Sequence, residues 1–279
     1  AEERLAPFFI VGSGRSGTTL MRRILLHSPE VYIPPENWSL GGIISDFRQY
    51  RWVMPWKNIV LMAMGRLVTG SHRWFESPPT DLRKKLTSLP EAQRNLARLI
   101  DETYRYHGRK QNAVFESWGD KTPLNINNLE AILGVFPEAR FLHLIRDGAD
   151  VVHSWTKLGR YDGDPLGAAE RWRSAIEKAT KFKKENSEKL LKIRYERLVK
   201  QPKEVTRQVC AHIGISYREG MEGRFDHLNE MKSAKSQSHY ENVFGSITEE
   251  NIGKGRSALK LRERESLRPL MNDKLIELG

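Results

Sequence analysis

The sequence predicts an α/β fold with a central parallel sheet and a mainly helical insertion. Three observations carry this. Phe8 to Val11 is a continuous apolar run, followed by a glycine-rich turn and a helical segment from Thr18 to Leu26. Ala139 to Ile145 is a second apolar run, with a helical pattern over Gly148 to Lys157 behind it. Leu190 to Tyr195 is a third, followed by a helix over Val205 to Ile213 that Gly214 stops. Apolar runs without polar alternation belong to strands covered on both faces. Strands that alternate with helices belong to a parallel sheet.

The first strand, its loop and its helix occupy residues 1–36. Residues 37–112 differ in character: they hold Trp38, Trp52, Trp56 and Trp74 together with Pro55, Pro78 and Pro79. A helix is expected to start at Leu89-Pro90-Glu91, with Leu96, Leu99 and Ile100 on one face. This block reads as an insertion between sheet strands, of the kind that covers an active site. In the next block Ala113 to Phe115 is expected as a short strand, Asn127 to Val135 as a helix and Ala168 to Lys184 as a longer one. Beyond residue 216 the chain is polar and irregular as far as Leu259, then helical to its end. Residues 1–279 are therefore expected to form one domain, with 37–112 covering the acceptor side of its site.

The first loop carries the chemistry. Gly12 and Gly17 have the spacing of a P-loop, and Thr19 fills its last position. Thr18 stands where the phosphate-binding lysine of such loops belongs, so a ligand without a γ-phosphate is expected. Arg15 places a cation inside the loop instead. A helix opening at Thr18 offers partnerless N–H groups and the positive end of its dipole to an anion. Gly14, Arg15, Ser16, Gly17, Thr18 and Thr19 are the candidate ligands. The expected fold is accordingly P-loop-like, with three layers. A plain strand–turn–helix would not need three glycines, an arginine and two threonines within residues 12–19.

Composition narrows the class. The chain has 279 residues, 39% hydrophobic and 29% charged, as a folded globular protein does. No stretch is long and apolar enough to span a membrane; the longest lipophilic piece runs from Asn58 to Met64. A single cysteine, Cys210, excludes an intramolecular disulfide and a cysteine zinc site, and points to a reducing, cytoplasmic compartment. Ala1 at the start leaves open a trimmed anchor. Cys210 reads as a small core residue of its helix. No ligand cluster has metal spacing, so no metal is expected. The net charge of +11 favours anionic partners. Basic runs such as Lys178 to Lys192 are interleaved with acids and read as a solvated helix face, not a nucleic-acid footprint.

A second anion site follows the strand ending at Ile145. Arg146 sits at the strand end, where ligands of α/β sheets bind, and Ser154 lies two turns into the next helix. Arg146 suits a forked contact to a phosphate; alone, it reads equally as an ion-pair partner.

Together the two sites resemble the sulfotransferase family that uses 3′-phosphoadenylyl sulfate (PAPS). The resemblance covers residues 8–36, 118–123, 139–158 and 191–202, with a weaker echo at 253–256. It implies that the first loop binds the 5′-phosphosulfate and that Arg146 and Ser154 read the 3′-phosphate. Arg15-Ser16-Gly17-Thr18-Thr19-Leu20-Met21-Arg22, Ser28-Pro29-Glu30-Val31 and Glu36 are similar in order and spacing to the tyrosylprotein sulfotransferase branch. By that resemblance Glu36 is the catalytic base, and Lys121, before Thr122-Pro123, assists at the sulfonate alongside Arg15. Tyr195 in Arg194-Tyr195-Glu196 contacts the nucleotide, and Lys254 in Gly253-Lys254-Gly255 closes over the donor. PAPS is then the co-substrate and PAP the product.

The residues themselves leave other readings open. Glu36, after Pro34-Pro35, and Lys121 read as surface charges without the resemblance. His27, His143 and His153 are rival bases. The tyrosine-sulfating branch has arginines after its glutamate, which read acidic peptides; here Asn37, Trp38, Ser39 and Leu40 stand there. That branch is secretory and disulfide-bonded, and its second arginine beyond the serine is replaced by Leu158. The expected acceptor is therefore a hydroxyl of a glycan, lipid or small molecule. Sulfation of protein tyrosine, a P-loop kinase or hydrolase, and a non-catalytic polyanion binder are the alternatives.

Overall fold

The computed structural model describes residues 5–69, 73–159, 164–223 and 245–278. Five strands, β1 (Phe8–Gly12), β2 (Val31–Tyr32), β3 (Ser117–Asp120), β4 (Arg140–Ile145) and β5 (Leu190–Arg194), form a parallel sheet in the order β2-β3-β1-β4-β5. Central β1 is buried along its whole length. Its side chains alternate between two cores, as the two-residue period of a strand requires. Phe9 and Val11 join a core with Trp118, Phe136 and Phe141, whereas Phe8 and Ile10 join one with Met21, Ile24, Leu142 and Leu144. Helices cover both faces, so the expected layers and central parallel sheet are present.

The helices are α1 (Thr18–Leu25), α2 (Leu40–Tyr50), α3 (Trp56–Val68), α4 (Thr80–Thr87), α5 (Leu96–Lys110), α6 (Leu129–Leu133), α7 (Gly148–Lys157), α8 (Pro165–Glu185), α9 (Tyr195–Lys200), α10 (Pro202–Ile213), α11 (Lys254–Ala258) and α12 (Leu261–Leu278). The insertion is indeed helical, comprising α2 to α5. It packs on the Phe9 face through Ile43, Ile44, Val60, Met64, Leu99 and Ile100. A third core of Val151, Val152, Trp172, Leu267 and Met271 docks α12 on α7 and α8. No described helix is long and apolar enough to cross a membrane.

Several expectations need correction. Ala113 to Phe115 is not a strand. The ladder starts at Ser117, which pairs with Val31, while Phe115 stacks on Tyr32 at 5.2 Å between ring centroids. The helix expected from Pro90 begins at Leu96, because Glu91–Gln93 makes one 3₁₀ turn and the Asn95 side chain accepts from Arg98 N at 2.8 Å. The helix expected over Asn127 to Val135 shrinks to α6, after a 3₁₀ turn at Pro123–Asn127. β2 has two residues, too few to leave a periodic signal. Trp56 and Trp74 are structural: their indoles donate to Leu86 O at 2.7 Å and Pro35 O at 2.9 Å. Cys210 is buried in α10, and burial pushes its thiol up to about 11.

α5 meets β2 through a 2.7 Å hydrogen bond between Tyr32 Oη and His107 Nδ1. Burial, with a smaller contribution from Arg22, pushes the His107 imidazole down to about 4. The unfolded chain binds a proton near the ordinary imidazole value, and the folded ring refuses it until about 4. Stability should therefore fall as pH drops across that window, by about 2 kcal/mol between pH 7 and 4.5. Urea midpoints at the two pH values check this, and His107→Gln should flatten the dependence.

Candidate active site

Parallel pairing brings the carboxyl ends of β1, β3, β4 and β5 to one side of the sheet, where the glycine loop, Lys121, Arg146 and Tyr195 follow them. After β1, Gly14, Arg15 and Gly17 adopt φ of 80°, 56° and 94°, which turns the chain tightly into α1. Gly17 has no substitute. A methyl there would sit 2.6 Å from Tyr195 Cδ2, in a left-handed conformation besides. No side chain caps α1 and no acid occupies its first turn, so its N-terminal N–H groups and dipole are left for an anion. Ser16 is wholly buried, and its Oγ has no partner among the described residues. A buried hydroxyl without a partner is costly. It fits a loop built around a phosphate or sulfate group, with Thr18 buried and Thr19 half-buried beside it.

The second anion site touches the first. Arg15 Nε donates to Ser154 Oγ on α7 at 3.0 Å. Arg146 Nη1 donates to Arg15 O at 3.4 Å, and its guanidinium carbon lies 4.6 Å from the centroid of the Tyr195 ring. Tyr195 thus lies between Gly17 and Arg146; burial raises its hydroxyl above the usual range, against the opposing pull of Arg146. Asp147 caps α7 by accepting from Ala149 N at 3.0 Å and Asp150 N at 3.2 Å. Lys254 opens α11, and its Nζ donates to Asn251 Oδ1 at 3.0 Å.

On the other side of β1, Lys121 follows β3. Its Nζ donates to Glu36 Oε2 at 2.8 Å, with side chains only 5% and 19% exposed. Trp38 Nε1 donates to the second carboxylate oxygen, Glu36 Oε1, at 2.7 Å. The two loops are locked together: Asn37 N donates to Thr122 Oγ1 at 3.3 Å, and that hydroxyl donates to Asn37 O at 3.0 Å. Beneath them Asp120 accepts from Tyr104 Oη at 2.7 Å and Asn125 Nδ2 at 2.9 Å. Burial pushes the Asp120 carboxyl up to about 6 despite those hydrogen bonds.

The rival bases fare differently. His143 is enclosed in mid-β4, where burial pushes its ring down to about 3. His27 follows the C-terminal end of α1, the end away from the loop. His153 is half-buried on α7, next to Ser154. Among the described residues no group of His, Cys, Asp or Glu could hold a metal ion. A cavity of about 1080 Å³ lies elsewhere, lined by Arg48, Arg51, Trp52, Phe47 and Phe136, and contains none of the candidate residues.

Three contributors escape sequence reasoning. Trp38 is 50% exposed yet bonded to Glu36. Arg171 on α8 reaches Ser13 O at 2.7 Å and lies over the Trp155 ring at 5.3 Å. Asp150 accepts from Gly253 N and Gly255 N, which are remote in sequence. Only Asp150 left a signal, four residues after Arg146, in the first turn of α7.

Residues 7–219 match the model of the family described as the sulfotransferase family. The chain is 25% identical over 221 residues to the protein-tyrosine sulfotransferase of Drosophila melanogaster, covering 76% of this chain and 39% of that protein. It is 26% identical over 218 residues to protein-tyrosine sulfotransferase 1 of Danio rerio, covering 76% and 54%. The chain thus spans only about two fifths to one half of these two relatives. Among solved structures, the sulfotransferase domain of the Synechococcus olefin synthase has the same fold, with a TM-score of 0.64, 20% identity and 96% of each chain covered.

Gly17→Ala should lower stability by about 1–3 kcal/mol, through left-handed strain and the collision with Tyr195, and should weaken PAP binding. Gly65→Ala on α3, with nothing within 4 Å of the added methyl, should instead stabilise by up to about 1 kcal/mol. Thermal melts and calorimetric titration of both variants separate the two effects.

Proposed function

The chain belongs to the sulfotransferase family, and from that premise we propose that it moves the sulfonate of PAPS to an acceptor hydroxyl using Glu36 as base and Lys121 as the cation at the reacting centre. That activity and the roles of its residues are together the proposal. The observation that carries them is the Glu36–Lys121 pair, held by the loops after β2 and β3, the second of these strands being paired with β1.

Arg15, Ser16, Gly17, Thr18 and Thr19, with Gly14 shaping the turn, hold the 5′-phosphosulfate end of the donor. Arg146 and Ser154 read the 3′-phosphate, Tyr195 lies against the nucleotide and Lys254 closes over it. The acceptor oxygen bonds to sulfur as the bond from sulfur to the bridging phosphate oxygen breaks, leaving PAP. The acceptor proton goes to Glu36. Lys121 offsets charge on the sulfonate and on the leaving oxygen. The other contribution of the protein is alignment for in-line attack.

For the acceptor, the relatives named protein-tyrosine sulfotransferase favour a phenolic hydroxyl, and the half-exposed Trp38 offers an aromatic ring a face beside the base. The segment after Glu36 argues against acidic surroundings for that phenol. Asn37 to Leu40 carry no cation, and Arg66, whose carbonyl accepts from Ser39 Oγ, is paired with Asp46 at 2.8 and 2.9 Å. A tyrosyl or other phenol in an uncharged setting meets both observations. A glycan, lipid or small-molecule alcohol is the second reading, favoured by the same cation-free segment.

Glu36→Gln should bind PAP as wild type does and lose nearly all transfer. Lys121→Ala should cost about 10²–10³ in rate. Retention of turnover within a few-fold by Glu36→Gln would move the base elsewhere, with His153 next to test. Labelled PAPS supplied with neutral tyrosine peptides, acidic tyrosine peptides, and carbohydrate and lipid pools sorts the acceptors. Neutral phenols should be labelled best; preference for acidic peptides would overturn the reading of the cation-free segment.

A further inference from the structure

The turn at Gly253–Gly255 is held to α7 by one carboxylate. Asp150 is buried, with a side-chain exposure of 0%. Its Oδ2 accepts from Gly253 N at 2.9 Å and its Oδ1 from Gly255 N at 2.7 Å. Arg146 Nη2 lies 3.4 Å from the same Oδ2 and also donates to Asn251 O, in the turn itself. Gly253 is left-handed at φ 78°, and a methyl on Gly255 would run into Ala149 O. The turn therefore lies flush on the first turn of α7, with Arg256 paired to Asp147 at 2.8 Å just beyond it. Arg146 is enclosed from one side by the glycine loop, through Arg15 O, and from the other by this turn.

We propose that Asp150 is a positioning residue that makes the Gly253–Gly255 turn and the Arg146 guanidinium one unit, so that seating the turn and reading the 3′-phosphate occur together. The inference rests on the assignment of Arg146 to the 3′-phosphate. A carboxylate suits the role because each oxygen takes one backbone N–H, and Oδ2 is also turned to the guanidinium. An amide in its place keeps one acceptor and turns an N–H₂ toward a backbone donor. The turn then loses a charge-assisted hydrogen bond, and Arg146 loses a partner that fixes its pose. Gly253→Ala perturbs the same unit from the far side. It leaves Asp150 and Arg146 unchanged, and its methyl meets nothing within 4 Å, so only the left-handed backbone is penalised.

Calorimetric titration with PAP and AMP, and trypsin cleavage after Lys254 and Arg256 with and without PAP, test this. Wild type should prefer PAP to AMP and be protected from cleavage by PAP. Asp150→Asn and Gly253→Ala should each bind PAP at least about tenfold more weakly, bind AMP within about threefold of wild type, and lose the protection. Equal losses for both ligands would reduce Asp150 to a structural role and overturn the proposal. So would an unchanged PAP-to-AMP ratio in both variants. If Asp150→Asn does not fold, Gly253→Ala decides. A wild type with no preference for PAP would instead overturn the assignment of Arg146, an outcome distinct from failure of the latch.

Discussion

Parallel pairing of β1 with β3 on one side and β4 on the other is the constraint from which the site follows. Phe8 lies between Gly119 and Arg140, and Gly12 opposite Leu144, so β1 and β4 end nearly level while β3 stops at Asp120, opposite Phe9. The chain leaves the sheet at each of these ends. In doing so it sets Arg146 against the glycine loop, through Arg15 O, and carries Lys121 to the same side of the sheet. None of these residues is near another in sequence. Burial of β1 on both faces makes the register rigid, because a slip of one residue would exchange the Phe8 and Phe9 cores.

Charge in the site is confined by pairing. Lys121 faces Glu36, Arg146 faces Asp150, Arg15 faces the Ser154 hydroxyl, and Asp147 takes Arg256. Each cation is thereby held in one pose. Ser16 differs: its buried hydroxyl has no partner among the described residues. The excess of basic charge in the chain then serves to attract an anionic donor, while specificity comes from where a few of those cations are fixed.

Much of this was legible in the sequence, for reasons that differ between elements. Long apolar runs announce strands buried on both faces, so β1, β4 and β5 fall within a residue of their expected bounds. α7 begins and ends as expected because Asp147 is a strong N-cap and Leu158 follows the last patterned residue. β2 and β3 were illegible: two and four residues, with Gly119 and Asp120 inside β3, carry no apolar period. α5 was misplaced because Pro90 looks like a helix start, whereas Asn95 makes the cap. In the site, the glycine loop and Arg146 stood out by residue type and spacing, and Glu36, Lys121, Tyr195 and Lys254 only through the resemblance. Positions that answer to another part of the protein did not. Trp38 looks like one tryptophan among several until its indole is found on Glu36, and Arg171 looks like a surface arginine until it reaches Ser13.

The same distinction bears on how acceptor and donor selectivity separate in this fold. The donor side is built from strand ends and the N-termini of α1 and α7, elements fixed by the sheet. In the proposed reading the acceptor side is built from the loop after β2 and from α2 and α3, which belong to residues 37–112. The Asn37–Thr122 hydrogen bonds and the Glu36–Lys121 pair join the base loop to the end of β3. Residues 38–40 can therefore change without moving the end of β3, provided those two links are kept, whereas α5 is tied to β3 by Tyr104 on Asp120 and Asp101 on Trp118. A chain that shares donor chemistry with its relatives can in this way differ in acceptor. Here the departure from the tyrosylprotein sulfotransferase branch starts at Asn37, immediately after the proposed base.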